Sequence, residues 1–188
     1  MDCPPGQYCD AFEDASQINP VVAPRDCTAG YYCPPQSKNK YSNACPIGQF
    51  KAGPGGSDDS SCSDCGAGKF CVNKGLVNES GDCYAGYICI SGASRPDPKE
   101  KFDEEPSAYI CPRGGHCPLE GCSEGADCKK ECPAGTFNDK YGSIADDTCQ
   151  TCENNCPNNG MTQDGVCPAG SECIGRVAHD KIRQYYLI

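Results

Sequence analysis

The sequence is poor in the side chains that build a hydrophobic core. It has no Trp, and Leu, Ile, Val and Phe together account for only 23 of 188 residues. Such a chain buries too little apolar surface to offset the entropy lost when its backbone is ordered, so an ordinary single-core domain is excluded. No apolar run approaches the roughly 18 residues that a membrane span needs. We therefore expect no membrane span in this chain.

Basic residues and histidine are scarce as well. Sixteen Lys and Arg face 26 Asp and Glu, and the net charge of −10 argues against nucleic acid, whose phosphates require a basic face. His116 and His179 are the only histidines, and no HExxH, GxSxG or phosphate-binding glycine motif occurs. Acid pairs such as Asp58–Asp59 lack an apolar surround that would separate their pKa values. We predict that the protein is not an enzyme and uses no cofactor.

Cysteine, by contrast, is abundant, with 20 residues and therefore an even number. Disulfides persist in oxidising compartments, so this content predicts an extracellular or cell-surface protein. A bridge that closes a loop of about 15 residues contributes roughly 3 kcal/mol in the chain-entropy model. The cysteines are therefore predicted to be structural cross-links that replace the missing core.

One short motif recurs along the chain: Cys-x-x-Gly, usually closed by a second cysteine three residues later. Two copies, which open at Cys45 and Cys132, lack the closing cysteine. A glycine at this place lets the backbone turn through positive φ, so we predict equivalent turns at Gly48 and Gly135. The seven complete copies span residues 3–9, 27–33, 65–71, 83–89, 111–117, 122–128 and 167–173.

The two copies without a closing cysteine open longer modules with the same Cys-x16-Cys-x2-Cys spacing. They are CPIGQFKAGPGGSDDSSCSDCGAGKFC (45–71) and CPAGTFNDKYGSIADDTCQTC (132–152). These modules resemble the ephrin-receptor-like (GCC2/GCC3-type) cysteine-rich repeat, which is similar in style to tumour-necrosis-factor-receptor and EGF-like modules. The resemblance implies short two-stranded, disulfide-bonded units stacked end to end in extracellular proteins, without a single common activity. It also implies the bridges Cys45–Cys62 and Cys132–Cys149.

The sequence leaves the remaining cysteine pairs open. The Cys-x5-Cys motifs are compatible with local closure and with interlocking between neighbouring motifs, and spacing alone does not decide between them. Local closure would give Cys3–Cys9, and interlocking would give Cys65–Cys83 with Cys71–Cys89.

Zinc is the main alternative use of the cysteines. The pairs Cys62–Cys65 and Cys149–Cys152 have the spacing of zinc ligands. Zinc fingers and ribbons combine two such pairs within about 15–20 residues, whereas these two pairs lie far apart. We therefore predict no metal site.

These observations predict a small disulfide-rich fold of tandem short β-hairpin modules, stacked into an elongated rod with little helix. The expected organisation is CxxGxxC repeats over 1–44, an ephrin-receptor-like module and a following repeat over 45–90, a linker rich in proline and charge over 91–109, short CxxGxxC repeats over 110–131, a second ephrin-receptor-like module with an atypical end over 132–175, and a C-terminal tail over 176–188.

Two further segments are predicted to lie at the surface. Asn78-Glu-Ser80 is an N-glycosylation sequon in a polar stretch. The tail is the densest apolar cluster of a chain that has few apolar residues, and we expect it to dock on a neighbouring copy. The predicted assembly residues are Ile182, Tyr185, Tyr186, Leu187 and Ile188.

The predicted function is that of an extracellular structural or adhesive repeat protein, a subunit or segment of a surface filament, coat or stalk. Stacked small modules with few apolar residues make a stiff spacer. The alternative is the ligand-binding ectodomain of a cell-surface receptor. Expected partners are further copies of the chain or other extracellular proteins, with glycans possible.

Overall fold

A computed structural model describes residues 3–9, 23–99, 108–124 and 127–165, and the backbone of Ser171–Ile174 and Val177–Asp180. The chain divides into two compact units. Unit 1 comprises Met1–Cys83 and Cys89–Pro98, and unit 2 comprises Tyr84–Ile88 and Lys99–Ile188.

The strands of the described residues form short two-stranded pairs. In seven of these pairs, a strand that follows a CxxG turn meets a strand that ends directly before the next opening cysteine. Frequent glycine and proline keep the strands short. The pairs are β1 (Gln7–Tyr8) with β2 (Arg25–Asp26), β3 (Tyr31–Tyr32) with β4 (Asn43–Ala44), β5 (Gln49–Phe50) with β6 (Ser63–Asp64), β7 (Lys69–Phe70) with β8 (Gly81–Asp82), β9 (Tyr87–Cys89) with β10 (Ala108–Ile110), β11 (Gly115–His116) with β12 (Lys130–Glu131), β13 (Thr136–Phe137) with β14 (Gln150–Thr151), and β15 (Ser171–Ile174) with β16 (Val177–Asp180).

The antiparallel register recurs from one hairpin to the next. The first strand residue after a turn lies opposite the residue that precedes the next cysteine, as Gln7 lies opposite Asp26. In unit 1 three such pairs are joined by exposed polar side chains, whose interactions are weakened by the surrounding solvent. Their contacts are a hydrogen bond from Gln7 Nε2 to Asp26 Oδ1 (3.1 Å), one from Gln49 Nε2 to Asp64 Oδ1 (2.8 Å), and an ion pair between Lys69 and Asp82.

Helix is limited to two single 3-10 turns within the described ranges, η1 (Asp59–Ser61) and η2 (Asp146–Thr148). They lie directly before Cys62 and Cys149, at the same place in the two long modules. Neither unit contains, in its described part, a helix that is long and apolar enough to span a membrane.

Cysteines form most of the buried interior. The other buried apolar side chains are few, and those that the structure describes are Tyr8, Ile88, Ala93, Pro98, Ala108 and Tyr109. Disulfides therefore occupy the volume that aliphatic side chains fill in ordinary domains. The prediction of small disulfide-rich hairpin modules with little helix is confirmed.

The predicted linker over 91–109 has buried residues near both of its ends. Ala93 is 1% exposed, and Pro98, Ala108 and Tyr109 are buried as well. The Ala93 carbonyl also accepts a hydrogen bond from the Cys71 N–H at 2.8 Å. The high proline and charge content of the segment is a property of its centre, and residues 100–107 lie outside the described ranges.

The motif CSEGADC (122–128) is not a repeat of the same kind as its neighbours, which corrects the prediction of several short repeats over 110–131. Its two cysteines form a disulfide, but the motif lies in the loop between β11 and β12. The Cys132 N–H donates to the carbonyl of Gly114, so this hydrogen bond between repeats joins residues on either side of the motif. The seven residues of the motif do not predict its place in the fold, because that place depends on which distant residues pair with each other.

Candidate functional site

The feature common to both units is a glycine turn. In the CxxG segment that contains Gly6, the Gln7 N–H donates to the Pro4 carbonyl at 3.2 Å, and Gly6 has φ of +83°. These are the bond and the dihedral of a type II β-turn, which favours glycine at its third residue. Gly48 and Gly135 both have φ of +87°, so they occupy equivalent turns. We number the repeats 1 to 8 by their opening cysteines: Cys3, Cys27, Cys45, Cys65, Cys83, Cys111, Cys132 and Cys152.

Each turn glycine exchanges two backbone hydrogen bonds with the next repeat. The Gly48 N–H donates to the Cys71 carbonyl at 2.9 Å, and the Gly48 carbonyl accepts from the Cys65 N–H at 2.9 Å. The partner carbonyl belongs to the closing position, six residues after the opening cysteine in repeats 2 to 7. The donor–acceptor pairs in the other repeats are Gly6 with Cys33, Gly30 with Lys51, Gly68 with Cys89, Gly86 with Cys117, Gly114 with Asn138, and Gly135 with Cys156.

A second set of left-handed residues follows the closing positions by three or four residues. Their N–H groups donate to the carbonyl of the opening cysteine one repeat earlier, as Gly92 donates to Cys65 at 2.8 Å. Sequence reasoning missed this set, although its glycines recur at a nearly constant distance after the closing position. Its members are Gln36 (φ +65°), Gly55 (+76°), Gly75 (+69°), Gly92 (+65°), Gly142 (+69°) and Gly160 (+70°).

The two sets of glycines lie against each other within each unit. A Cβ atom at Gly6 would lie 2.7 Å from the carbonyl oxygen of Gly55, and one at Gly86 would lie 2.8 Å from that of Gly142. The same backbone approach occurs between Gly48 and Gly92. Glycine is therefore required both by the dihedral angle and by the space between repeats. The remaining pairs are Gly30 with Gly75, and Gly114 with Gly160.

The two long modules replace the closing cysteine in different ways. Cys45 is bonded to Cys62, and Cys132 to Cys149, which are the pairs that the resemblance implied. Lys51 stands at the closing position of the first module, and Asn138 stands at that of the second.

Asn138 is fully buried and forms a network inside unit 2. Its Nδ2 donates to the Gly115 carbonyl and to Ser143 Oγ, both at 2.8 Å, and its Oδ1 accepts from the Lys140 N–H at 3.0 Å. A buried amide with these partners positions the backbone where other repeats use a disulfide. The sequence offers only one sign of this role, the position of Asn138 six residues after Cys132.

The Cys-x5-Cys motifs close locally in the structure, which decides between the alternatives that the sequence left open. Cα atoms of the paired cysteines are 5.4–6.5 Å apart in these bridges and in Cys152–Cys156. The pairing of Cys167 and Cys173 lies outside the described residues. The local pairs are Cys3–Cys9, Cys27–Cys33, Cys65–Cys71, Cys83–Cys89, Cys111–Cys117 and Cys122–Cys128.

Disulfide bonding determines which sulfur atoms are available to a metal ion. The cysteines of each Cys-x2-Cys pair belong to two different disulfides, so neither pair offers thiolates. Cys152, Cys156 and Asp164 place potential ligand atoms within 4.8 Å of one another. The two sulfur atoms of this group are bonded to each other, which removes them as thiolate ligands.

The remaining groups considered as catalytic candidates are the two histidines and Asp58. His116 is buried in β11, and its Nδ1 has no hydrogen-bond partner within the described residues. His179 lies in β16, of whose side chains nothing is described. Hydroxyl groups of Ser60 and Ser57 donate to Asp58 and lower the pKa of its carboxyl group. Asp58 also caps η1, because its Oδ1 accepts a hydrogen bond from the Ser60 N–H at 3.0 Å.

Of the residues predicted to lie at the surface, Asn78 is described by the structure and the assembly residues of the tail are not. Asn78 is exposed in a bend between Leu76 and β8, while Ser80 Oγ accepts a hydrogen bond from the Val72 N–H at 3.1 Å. The predicted assembly residues of the tail lie outside the described residues, so their role stays a prediction.

A scan against protein-family models and a search of curated proteins found no match to this chain. The resemblance to ephrin-receptor-like repeats therefore stays a hypothesis that rests on the quoted motifs. What the fold and its cross-links establish is the class: a disulfide-rich protein of short β-hairpin modules.

The structure predicts different effects for two glycines of the same module. Gly48→Ala should destabilise the oxidised protein by about 2 kcal/mol or more, because alanine at positive φ is strained by about 1–2 kcal/mol and its methyl group would collide with the Gly92 carbonyl. Gly53→Ala is the matched control, since a Cβ there meets no atom within 4 Å. Urea unfolding of both variants tests this, and equal midpoints would contradict it.

Gln36 is the one non-glycine residue with positive φ within the described residues. Its side chain is exposed, so Gln36→Gly should remove strain without loss of packing and stabilise the protein by about 0.5–1 kcal/mol. Gly92→Ala, at the equivalent position, should have the opposite effect. Denaturant midpoints that move in the same direction for both variants would show that the second turn does not govern stability.

Proposed function

We propose that the protein is an extracellular structural or adhesive repeat protein, a subunit or segment of a surface filament, coat or stalk. The observation that carries the proposal is the hydrogen-bond exchange described above, which recurs between successive repeats in each unit. A repeat that binds its neighbour through the backbone makes a module suited to extension by repetition.

The cross-links support the same proposal. Each described disulfide closes a loop inside one repeat or one hairpin, with sequence separations of 4 to 17 residues. Tension on the chain ends cannot extend a loop that is closed by a covalent bond. The nine disulfides of the described residues also indicate an oxidising, extracellular-type environment. The proposed module would therefore resist both force and proteolysis.

Assembly of the purified oxidised protein distinguishes this proposal from a receptor ectodomain. Electron microscopy of native or concentrated material should show regular fibres or sheets. A protein that stays monomeric at every concentration and binds a protein ligand saturably would contradict the structural proposal and favour the receptor.

The proposed assembly role of the tail can be tested by truncation. Because Val177–Asp180 pairs with Ser171–Ile174, the informative truncation ends at Asp180 and leaves that hairpin intact. We expect the truncated chain to form its disulfides but to lose self-association. Light scattering at matched concentrations measures this, and equal masses for the truncated and full-length proteins would remove residues 181–188 from the assembly proposal.

We further propose that Asn78 carries an N-linked glycan when the protein passes through a eukaryotic secretory route. Its exposed bend leaves room for the sugar outside the packed turns. Secreted protein should lose mass on treatment with an endoglycosidase, and Asn78→Gln should lack that mass. An unchanged mass after treatment of the wild-type protein would refute the assignment.

A further inference from the structure

Repeat 8 departs from the others at the position of the turn glycine. It is closed by Cys156 only four residues after Cys152, and Asn155 stands three residues after the opening cysteine, where repeats 1 to 7 have glycine. Toward repeat 7 the usual exchange is intact, because the Gly135 N–H donates to the Cys156 carbonyl at 2.7 Å. The departure is therefore confined to the side that would face a further repeat.

On that side Asp164 and Gly165 supply the partners that a next repeat supplies elsewhere. The Asn155 N–H donates to Asp164 Oδ1 at 3.2 Å, where a turn glycine would donate to a closing-position carbonyl. The Asn155 carbonyl accepts from the Gly165 N–H at 3.1 Å, where a turn glycine would accept from the next opening cysteine. Two adjacent residues thus reproduce the two-bond exchange.

Two more backbone N–H groups point at the same carboxylate. Glu153 donates to Asp164 Oδ2 at 3.0 Å, and Asn154 donates to the same oxygen at 3.2 Å. Asn154 Nδ2 adds a fourth donor at 3.1 Å. Successive backbone N–H groups that converge in this way form an anion-binding nest. Partial burial raises the pKa of Asp164, but the N–H donors outweigh burial and hold that pKa below its ordinary value.

We propose that the backbone N–H groups of residues 153–155 form a carboxylate-binding nest, and that Asp164 is its intramolecular ligand and takes the place of a next-repeat acceptor at Asn155. This assignment is independent of the proposed structural function. It also explains why Cys152, Cys156 and Asp164 lie close together: the sulfur atoms form a bridge, and both carboxylate oxygens accept N–H groups.

Amide hydrogen exchange in the full oxidised chain tests the proposal. Asp164→Ala should accelerate exchange at Glu153, Asn154 and Asn155 by about tenfold or more, because those N–H groups lose their acceptor. Asp147→Asn is the matched control, since it removes one charge from an exposed residue of the same unit and should leave the three amides within about twofold of wild type.

A second variant keeps the test decisive if Asp164→Ala oxidises poorly, and an added ligand tests the nest directly where that variant folds. Asp164→Asn retains one acceptor oxygen and should give intermediate exchange at the same amides. In Asp164→Ala, acetate at roughly 0.5 M, suited to a weak ligand with one carboxylate, should slow exchange at the three amides more than chloride does. Unchanged exchange in both variants, or equal effects of acetate and chloride, would overturn the proposal.

Discussion

Repeats 1 to 7 each depend on a backbone hydrogen bond that a turn glycine donates to the next repeat. In repeat 3 this bond joins the Gly48 N–H to the Cys71 carbonyl at 2.9 Å. The geometry allows no Cβ, because the turn needs positive φ and because Gly92 packs against the place where that atom would be. The fold is therefore constrained by backbone contact, and side chains such as Ile47, which is 48% exposed, are left at the surface.

Two kinds of interaction stabilise the protein. Disulfides close each loop locally, as Cys65–Cys71 does, and so restrict the unfolded chain. Hydrogen bonds then join one closed loop to the next, and each contributes about 0.5–1.5 kcal/mol in a typical protein. Neither kind suffices alone, since a closed loop without neighbours has no interior and an unclosed loop loses too much entropy on ordering.

The sequence predicts the hairpins and the left-handed turns at Gly48 and Gly135, because the repeated cysteine and glycine spacing has a direct backbone meaning. Local closure of Cys65–Cys71 does not follow from the sequence, since the same cysteine positions also allow the interlocked pairs Cys65–Cys83 and Cys71–Cys89. The sequence also does not predict the hydrogen-bond network of Asn138 or the nest around Asp164. The Asn138 network depends on a carbonyl of the preceding repeat, and the nest depends on a loop that returns Asp164 to residues 153–155. A single residue of either type carries no periodic signal.

Cross-links and inter-repeat hydrogen bonds stand in for a hydrophobic core in this protein. Thermal melts of the oxidised and the fully reduced protein, followed by circular dichroism, measure this dependence. We expect a cooperative transition for the oxidised chain and none for the reduced chain, whose composition resembles that of disordered proteins. If the reduced chain retains a cooperative transition, the protein has a core that is independent of its disulfides, and cross-links do not replace it.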